Sequence, residues 1–357
     1  MDTPAAGDGP AVLVTSKGSV YLCPAPGSAW QPLLLSGLQV PLAQVAIAPG
    51  YDPNAPAGPA REILAAIGGL LQVSQDGGTT WSVHPQFSTP VGSPQDWSVT
   101  TLCYDEDYAN SGVIVLGRGK EDPLQPSGMS GELWRSSDFG VSFSLVQTTE
   151  WPVRGLDAAT GPGGRSDFYC VLEQYPDPRV APTAPGVLAS QDGGLTWWDQ
   201  DTVQDFVLEE EVHNTHTAHY LGIEASPDYA VDGVVLLGRE EGMFLSRDRG
   251  VNWRQRSVRV EVQIRDVETG YGPAGEKLAF GASYGTGFLL ADLDTQQVEV
   301  ITGSQLHYLR AVTVSPQYAA DGAVLLGGIA GPAWWFDDSR PANNMTGRTG
   351  FQLPPVN

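Results

Sequence analysis

Apolar residues come in runs of four to seven, rich in Val, Leu, Tyr and Trp, and each run ends at Gly, Pro or Asp. Runs of that length and composition are the mark of short β-strands. Across residues 220–258 the pattern predicts four of them, over 220–225, 234–237, 243–246 and 252–258. Gly or Pro interrupts every stretch that has a 3.6-residue period, so no helix of ten or more residues is expected.

The four-strand unit recurs. Four segments share the pattern S-x-D-x-G-x-x-W/F: Ser74-Gln-Asp76-Gly-Gly78-Thr-Thr-Trp81, Ser136-Ser-Asp138-Phe-Gly140-Val-Ser-Phe143, Ser190-Gln-Asp192-Gly-Gly194-Leu-Thr-Trp197 and Ser246-Arg-Asp248-Arg-Gly250-Val-Asn-Trp253. Their aspartates are 62, 54 and 56 residues apart. An eroded copy, Gly27-Ser-Ala-Trp30, has Ala25 in place of the Asp. A second motif interleaves with the first: Asp107-Tyr108-Ala-Asn-Ser-Gly112-Val-Ile-Val-Leu-Gly117 matches segments that start at Asp228 and Gln317. Residues 63–68, 168–172 and 277–281 take the place of its apolar strand in the other units.

Repeats of about 45 to 60 residues, each a four-strand antiparallel meander, predict an all-β chain folded as a β-propeller. Six units are counted from Pro41 onward. Residues 10–35 add three strands, and 351–356 supply a fourth that closes the ring. The expectation is seven blades, with six as the alternative, in a single domain over 10–357 behind a short polar tail at 1–9.

On these boxes the chain resembles the Asp-box, or BNR-like, repeat proteins, and the resemblance covers nearly its whole length. That superfamily includes sialidases, other glycan-cleaving enzymes, sortilin-type receptors and photosystem assembly factors. The resemblance therefore implies a propeller and leaves the activity open.

The box itself suits a tight turn between the third and fourth strands of a unit. Ser and Asp side chains accept hydrogen bonds from the turn's own N–H groups, and Gly supplies positive φ. Asp76, Asp138, Asp192 and Asp248 accordingly read as structural, not as catalytic or metal carboxylates. Gly78, Gly140, Gly194 and Gly250 shape the turns. Trp81, Phe143, Trp197 and Trp253 close the outer apolar layer.

Composition narrows the partners. There are 41 acidic and 19 basic residues, a formal net charge of −22, and only three of the bases are lysines (Lys17, Lys120, Lys277). So acidic a chain is a poor fit for nucleic acid. No apolar run approaches the length of a membrane span, and residues 1–10 do not have the build of a signal peptide. A cytoplasmic protein is expected, with an exported one the alternative. The three cysteines, Cys23, Cys103 and Cys170, have neither disulfide nor zinc spacing.

In a meander the box turns share one face of the propeller. The turns from second to third strands share the other with the crossings between units, and the long connections lie there: 84–97, 119–131, 174–186 and 198–219. Functional residues favour such loops. One crossing holds Glu209, Glu210, Glu211, His213, His216 and His219. It reads as ordinary surface, as a pH-sensitive contact, or as a weak site for a divalent metal. No other cofactor is implied.

Arg154, Arg265 and Arg310 fall at similar places in the first strands of three units. They either pair with nearby acids such as Asp157 and Asp266 or turn a positive potential toward an anion in the channel. The resemblance adds that sialidases hold a carboxylate with inner-strand arginines; here Tyr308 precedes Arg310. No catalytic residue is nominated. The leading expectation is a non-catalytic scaffold that binds a protein partner through the loop-rich face, with Trp97, Trp151, Trp198, Trp334 and Trp335 as contact anchors where they are not core. The alternative is a sialidase-like glycoside hydrolase acting on a glycan or small anion.

Overall fold

The computed structural model describes residues 10–15, 18–24, 28–35, 43–88, 97–120, 130–172, 186–199, 220–239, 242–255, 264–295, 297–301, 304, 308–328 and 331–336. Among them the chain forms seven antiparallel meanders in sequence order. The first is three-stranded: β1 (Ala11–Val14), β2 (Val20–Cys23) and β3 (Gln31–Leu34). The second holds β4 (Ala43–Ile47), β5 (Ile63–Ile67), β6 (Leu70–Ser74) and β7 (Ser82–Val83). The third holds β8 (Ser98–Tyr104), β9 (Ile114–Lys120), β10 (Ser130–Ser136) and β11 (Ser144–Thr149). The fourth holds β12 (Val153–Thr160), β13 (Ser166–Leu172), β14 (Val187–Ser190) and β15 (Trp198–Asp199).

The fifth sheet holds β16 (Tyr220–Ala225), β17 (Val235–Arg239), β18 (Gly242–Ser246) and β19 (Trp253–Gln255). The sixth holds β20 (Ile264–Tyr271), β21 (Lys277–Ser283), β22 (Gly287–Asp292) and β23 (Val298–Val300). The seventh is three-stranded: β24 (Leu309–Val314), β25 (Ala323–Gly328) and β26 (Gly331–Phe336). The strand expected to close the ring, 351–356, and the tail at 1–9 lie outside the described residues.

The sheets pack face to face, first strand beside first strand, from β1 and β4 round to β20 and β24. Ala11, Cys23 and Trp30 meet Ala323 and Leu325, so the first sheet also packs on the last. This stacking explains the solid apolar runs of the sequence. Middle strands such as β5, β13 and β17 are covered on both faces, and every residue in them is buried. Trp335 belongs to this core: it is 8% exposed and its ring lies 5.0 Å from Phe288. It is therefore not a surface anchor, while the side chain of Trp334 lies outside the described residues. Trp198 is 37% exposed.

The second motif folds into a one-turn helix after the first strand: α1 (Tyr108–Ser111), α2 (Tyr229–Asp232) and α3 (Tyr318–Asp321). Gly112, Gly233 and Gly322 cap these turns at φ 62°, 61° and 60°. Each donates its N–H to the carbonyl of the motif's Tyr, a left-handed cap that glycine adopts without strain. The buried tyrosines reach back to the sheet before. Tyr108 donates to Glu62 Oε1 at 2.7 Å, and Tyr229 donates to Asp167 Oδ2 at 2.7 Å.

Candidate functional site: the channel mouth

The four boxes join the third and fourth strands of their sheets, and their aspartates are fully engaged. Asp76 Oδ1 accepts from Thr80 N at 2.8 Å, and Oδ2 accepts from the Thr80 hydroxyl at 2.7 Å. Ser74 Oγ donates to Asp76 at 2.9 Å and accepts from Gly78 N at 2.8 Å. Asp138 does the same with Ser142, Asp192 with Thr196 and Asp248 with Asn252. The Thr80 N–H holds the Asp76 carboxyl below the usual range, and the Ser142 hydroxyl does so for Asp138. Carboxylates spent on their own turn have little capacity left for chemistry.

At the opposite end of the sheets the first strands begin, and they begin irregularly. β8, β12, β16, β20 and β24 each carry one extra residue in their pairing: Thr100, Arg154, Leu221, Arg265 and Arg310. A bulge leaves its extra residue out of the ladder and re-aims its side chain. The innermost strand of a propeller tolerates one because its other edge is unpaired by a strand. The bulges put all three arginines at the same structural position.

Tyr284 brings two of them together. It lies in the turn between β21 and β22, and the guanidiniums of Arg265 and Arg310 sit 5.5 and 5.6 Å from its ring centre. Tyr308, just before β24, stacks obliquely on Tyr284 at 5.3 Å and is 49% exposed. Its φ of 44° is left-handed, a conformation that costs a non-glycine residue free energy. Arg154 shares the register position on the fourth sheet. Tyr284 escaped the sequence reading; its one signal is an aromatic residue inside a Gly-rich turn, Tyr284-Gly-Thr-Gly287.

Three residues further into the channel the same register places Asp157, Glu224 and Glu268 on β12, β16 and β20. Asp266 lies beside Arg265. Two of these acids hydrogen-bond the backbone of the next sheet. Asp157 Oδ2 accepts from Ala225 N of the next sheet at 2.7 Å, and Asp266 Oδ2 accepts from Val312 N at 2.9 Å. Gln44 does the same for Leu102 N at 2.8 Å. Each side chain satisfies an N–H that an unpaired inner strand would otherwise leave open. Burial pushes the Asp157 carboxyl up to about 7 and Asp266 up to about 6. Burial also raises Glu224 well above the usual range, with the charge of Asp157 adding to it. The channel thus has a guanidinium and tyrosine mouth above a belt of acids, among which burial raises Asp157, Glu224 and Asp266.

Glu209, Glu210, Glu211, His213, His216 and His219 lie outside the described residues. Among the described residues no group of three His, Cys, Asp or Glu side chains is arranged to hold a metal ion. No helix among them is long and apolar enough to cross a membrane.

No family model and no curated protein matches the chain. Solved structures do. A YCF48 bound to D1 peptide superposes with a TM-score of 0.55 at 14% identity, over 93% of this chain and 90% of that one. The WD40 propeller domain of Doa1 gives 0.53 at 12% identity, over 95% and 93%. The chain is a β-propeller. An ancestral GH74 enzyme gives 0.53 at 17% identity over 84% of this chain, but the propeller spans only 37% of that enzyme's length. At such identities the shared property is the fold.

Proposed function

We propose that this propeller is a non-catalytic member of the Asp-box group that binds a protein partner through the channel mouth, with Arg154, Arg265, Arg310, Tyr284 and Tyr308 as contact residues. The observation that carries this reading is the pair of guanidiniums held against Tyr284 beside the exposed Tyr308. Arg and Tyr are the residue types that dominate protein-binding hot spots, and here they stand on rigid strand ends. The partner segment that suits them offers carboxylates or backbone carbonyls to the arginines and an apolar surface to the rings. The likeness to a YCF48 bound to D1 peptide supports a peptide-like partner here. The loop segment 209–219 belongs to the same face in this reading.

A glycan-cleaving role draws support from the GH74 likeness. Glycosidases need two carboxyls spaced about 5 Å or more apart around the bond. The inner-strand acids Asp157 and Asp266 instead each spend a carboxylate oxygen on a backbone N–H of the next sheet, which favours the binding role.

Capture of partners from a lysate of the native organism, with mass spectrometry, tests the proposal. The bait protein should retain a defined partner that the Arg265→Glu/Arg310→Glu variant loses. If the variant captures the same proteins in the same amounts, the mouth is not the contact surface.

A further inference from the structure

A second site lies away from the channel, between the second and third sheets on the side of the box turns. A cleft of about 330 Å³ opens there, walled by Trp81, Val83, Phe139, Val141 and Phe143, with His84 at its floor. That volume is in the range of small-ligand pockets.

His84 is the unusual residue. It is 6% exposed, and neither ring nitrogen has a hydrogen-bond partner. Its ring is held edge-on to Phe143 at 5.3 Å and lies 5.5 Å from Phe87. Leaving a buried donor and acceptor unmatched costs about 1–3 kcal/mol each. Packing does not require an imidazole. Three residues after the box aromatic, where His84 follows Trp81, the third sheet has Val146 after Phe143, an apolar side chain packed against the core.

The other polar groups around the cleft are engaged. Gln86 clamps the Phe143 backbone at both N–H (2.8 Å) and carbonyl (2.9 Å). The Trp81 indole N–H donates to the Gly78 carbonyl at 3.1 Å. Glu62 accepts from Tyr104, Tyr108 and Gln75 at 3.2, 2.7 and 3.2 Å. The walls are therefore fixed, and among the described residues there the imidazole is the buried group that still requires a polar partner.

We propose that this cleft binds an uncharged aromatic ring bearing a hydroxyl, a phenol, with the ring against Trp81, Phe139 and Phe143 and the hydroxyl on His84. A neutral imidazole offers one donor and one acceptor, and a hydroxyl answers either. Among the described residues no Lys or Arg lines the cleft to hold an anion. The carboxyl of Glu62 is already shared among three donors, so a cation finds no open counter-charge. The rim residues Val83 and Val141 are 38% and 73% exposed, an apolar entrance on an otherwise polar turn. The phenol is either a free small molecule or a tyrosine side chain of another protein.

Titrations of the full chain with p-cresol, toluene and N-acetyl-tyrosinamide, followed by ligand-detected NMR, test this site. Saturable p-cresol binding is expected, with toluene roughly tenfold weaker, the equivalent of one hydrogen bond. His84→Phe should abolish the preference for p-cresol. Val141→Glu, an exposed change that leaves the core intact, should weaken p-cresol roughly fivefold or more by narrowing the mouth and charging it. Tighter binding of N-acetyl-tyrosinamide than of p-cresol points to a tyrosine of a partner; the reverse points to a free phenol. Arg265→Glu/Arg310→Glu should leave every one of these affinities unchanged, which separates this site from the channel mouth. Absence of saturable binding, or equal binding of toluene and p-cresol by the unsubstituted protein, overturns the proposal and leaves the cleft to water.

Discussion

Single side chains here do one of two jobs, and hydrogen-bond accounting tells them apart. An Asp-box carboxylate accepts three or four bonds within its own turn, so its removal is felt by the turn. Asp76→Ala and Asp192→Ala each orphan the donors on Thr80 or Thr196 and should lower stability by about 1–3 kcal/mol, read by urea denaturation. Partner capture by either variant should match the unsubstituted protein. A box variant that kept its unfolding midpoint and lost its partner would relocate the contact surface to the wrong face. The residue before the box glycine refines the picture. It is Gly77 and Gly193 in two boxes but Phe139 and Arg249, both at φ 60°, in the other two. These residues accept a left-handed backbone and in return cover a motif tyrosine: Phe139 on Tyr108 at 5.5 Å, Arg249 over Tyr229 at 5.8 Å.

At the scale of an element, the one-turn helices α1 and α2 act as staples between consecutive sheets. The Tyr229 hydroxyl donates to Asp167 and lies 2.5 Å from that of Tyr169. All three side chains are buried. Tyr229→Phe keeps the ring and removes the bonds, so it should cost about 1–3 kcal/mol, with the denaturant slope unchanged if unfolding stays cooperative. The bulges are the other element-level device. A β-strand that gains one residue turns the following side chains to the opposite face. This is how Arg154, Arg265 and Arg310 come to a common position while Asp157, Glu224 and Glu268 line up three residues deeper.

For the whole molecule, the acid belt sets a pH dependence. Asp157 and Glu224 carry pKa values raised by burial, so the folded state binds more protons than the unfolded chain above about pH 4. Stability contributed by these groups therefore falls as pH rises from about 4 through 7, the reverse of a salt-bridged carboxylate. Glu224→Gln removes one of the charges and should raise the melting temperature at pH 8 by roughly 2 °C or more, with little change at pH 5. Calorimetry at the two pH values reads the difference. An equal shift at both would mean that the belt does not titrate in this interval. The box aspartates work in the opposite sense: their lowered values protect the fold until pH drops below about 4.

Much of this was legible in the sequence because it is local. Strand and turn positions follow from apolar runs and from Ser, Asp and Gly at fixed offsets. The strand predicted at 220–225 is β16, Tyr220–Ala225, and 243–246 lies within β18, Gly242–Ser246. Repetition of those local rules at about 55 residues was enough to give an all-β propeller, since each unit has two apolar faces that only neighbouring units cover. Tertiary structure alone decided what depends on which residues meet. It buried Trp335, which reads on the page like an exposed anchor, because its sheet packs on Phe288. It put Arg265 and Arg310 on one tyrosine 19 and 26 residues from them through bulges that no local pattern announces. It also left His84, an ordinary residue in an ordinary turn, without a partner at the floor of a cleft between two sheets. Turn chemistry is written within five residues of chain, whereas a site is a coincidence of side chains from different sheets, fixed only when the sheets pack.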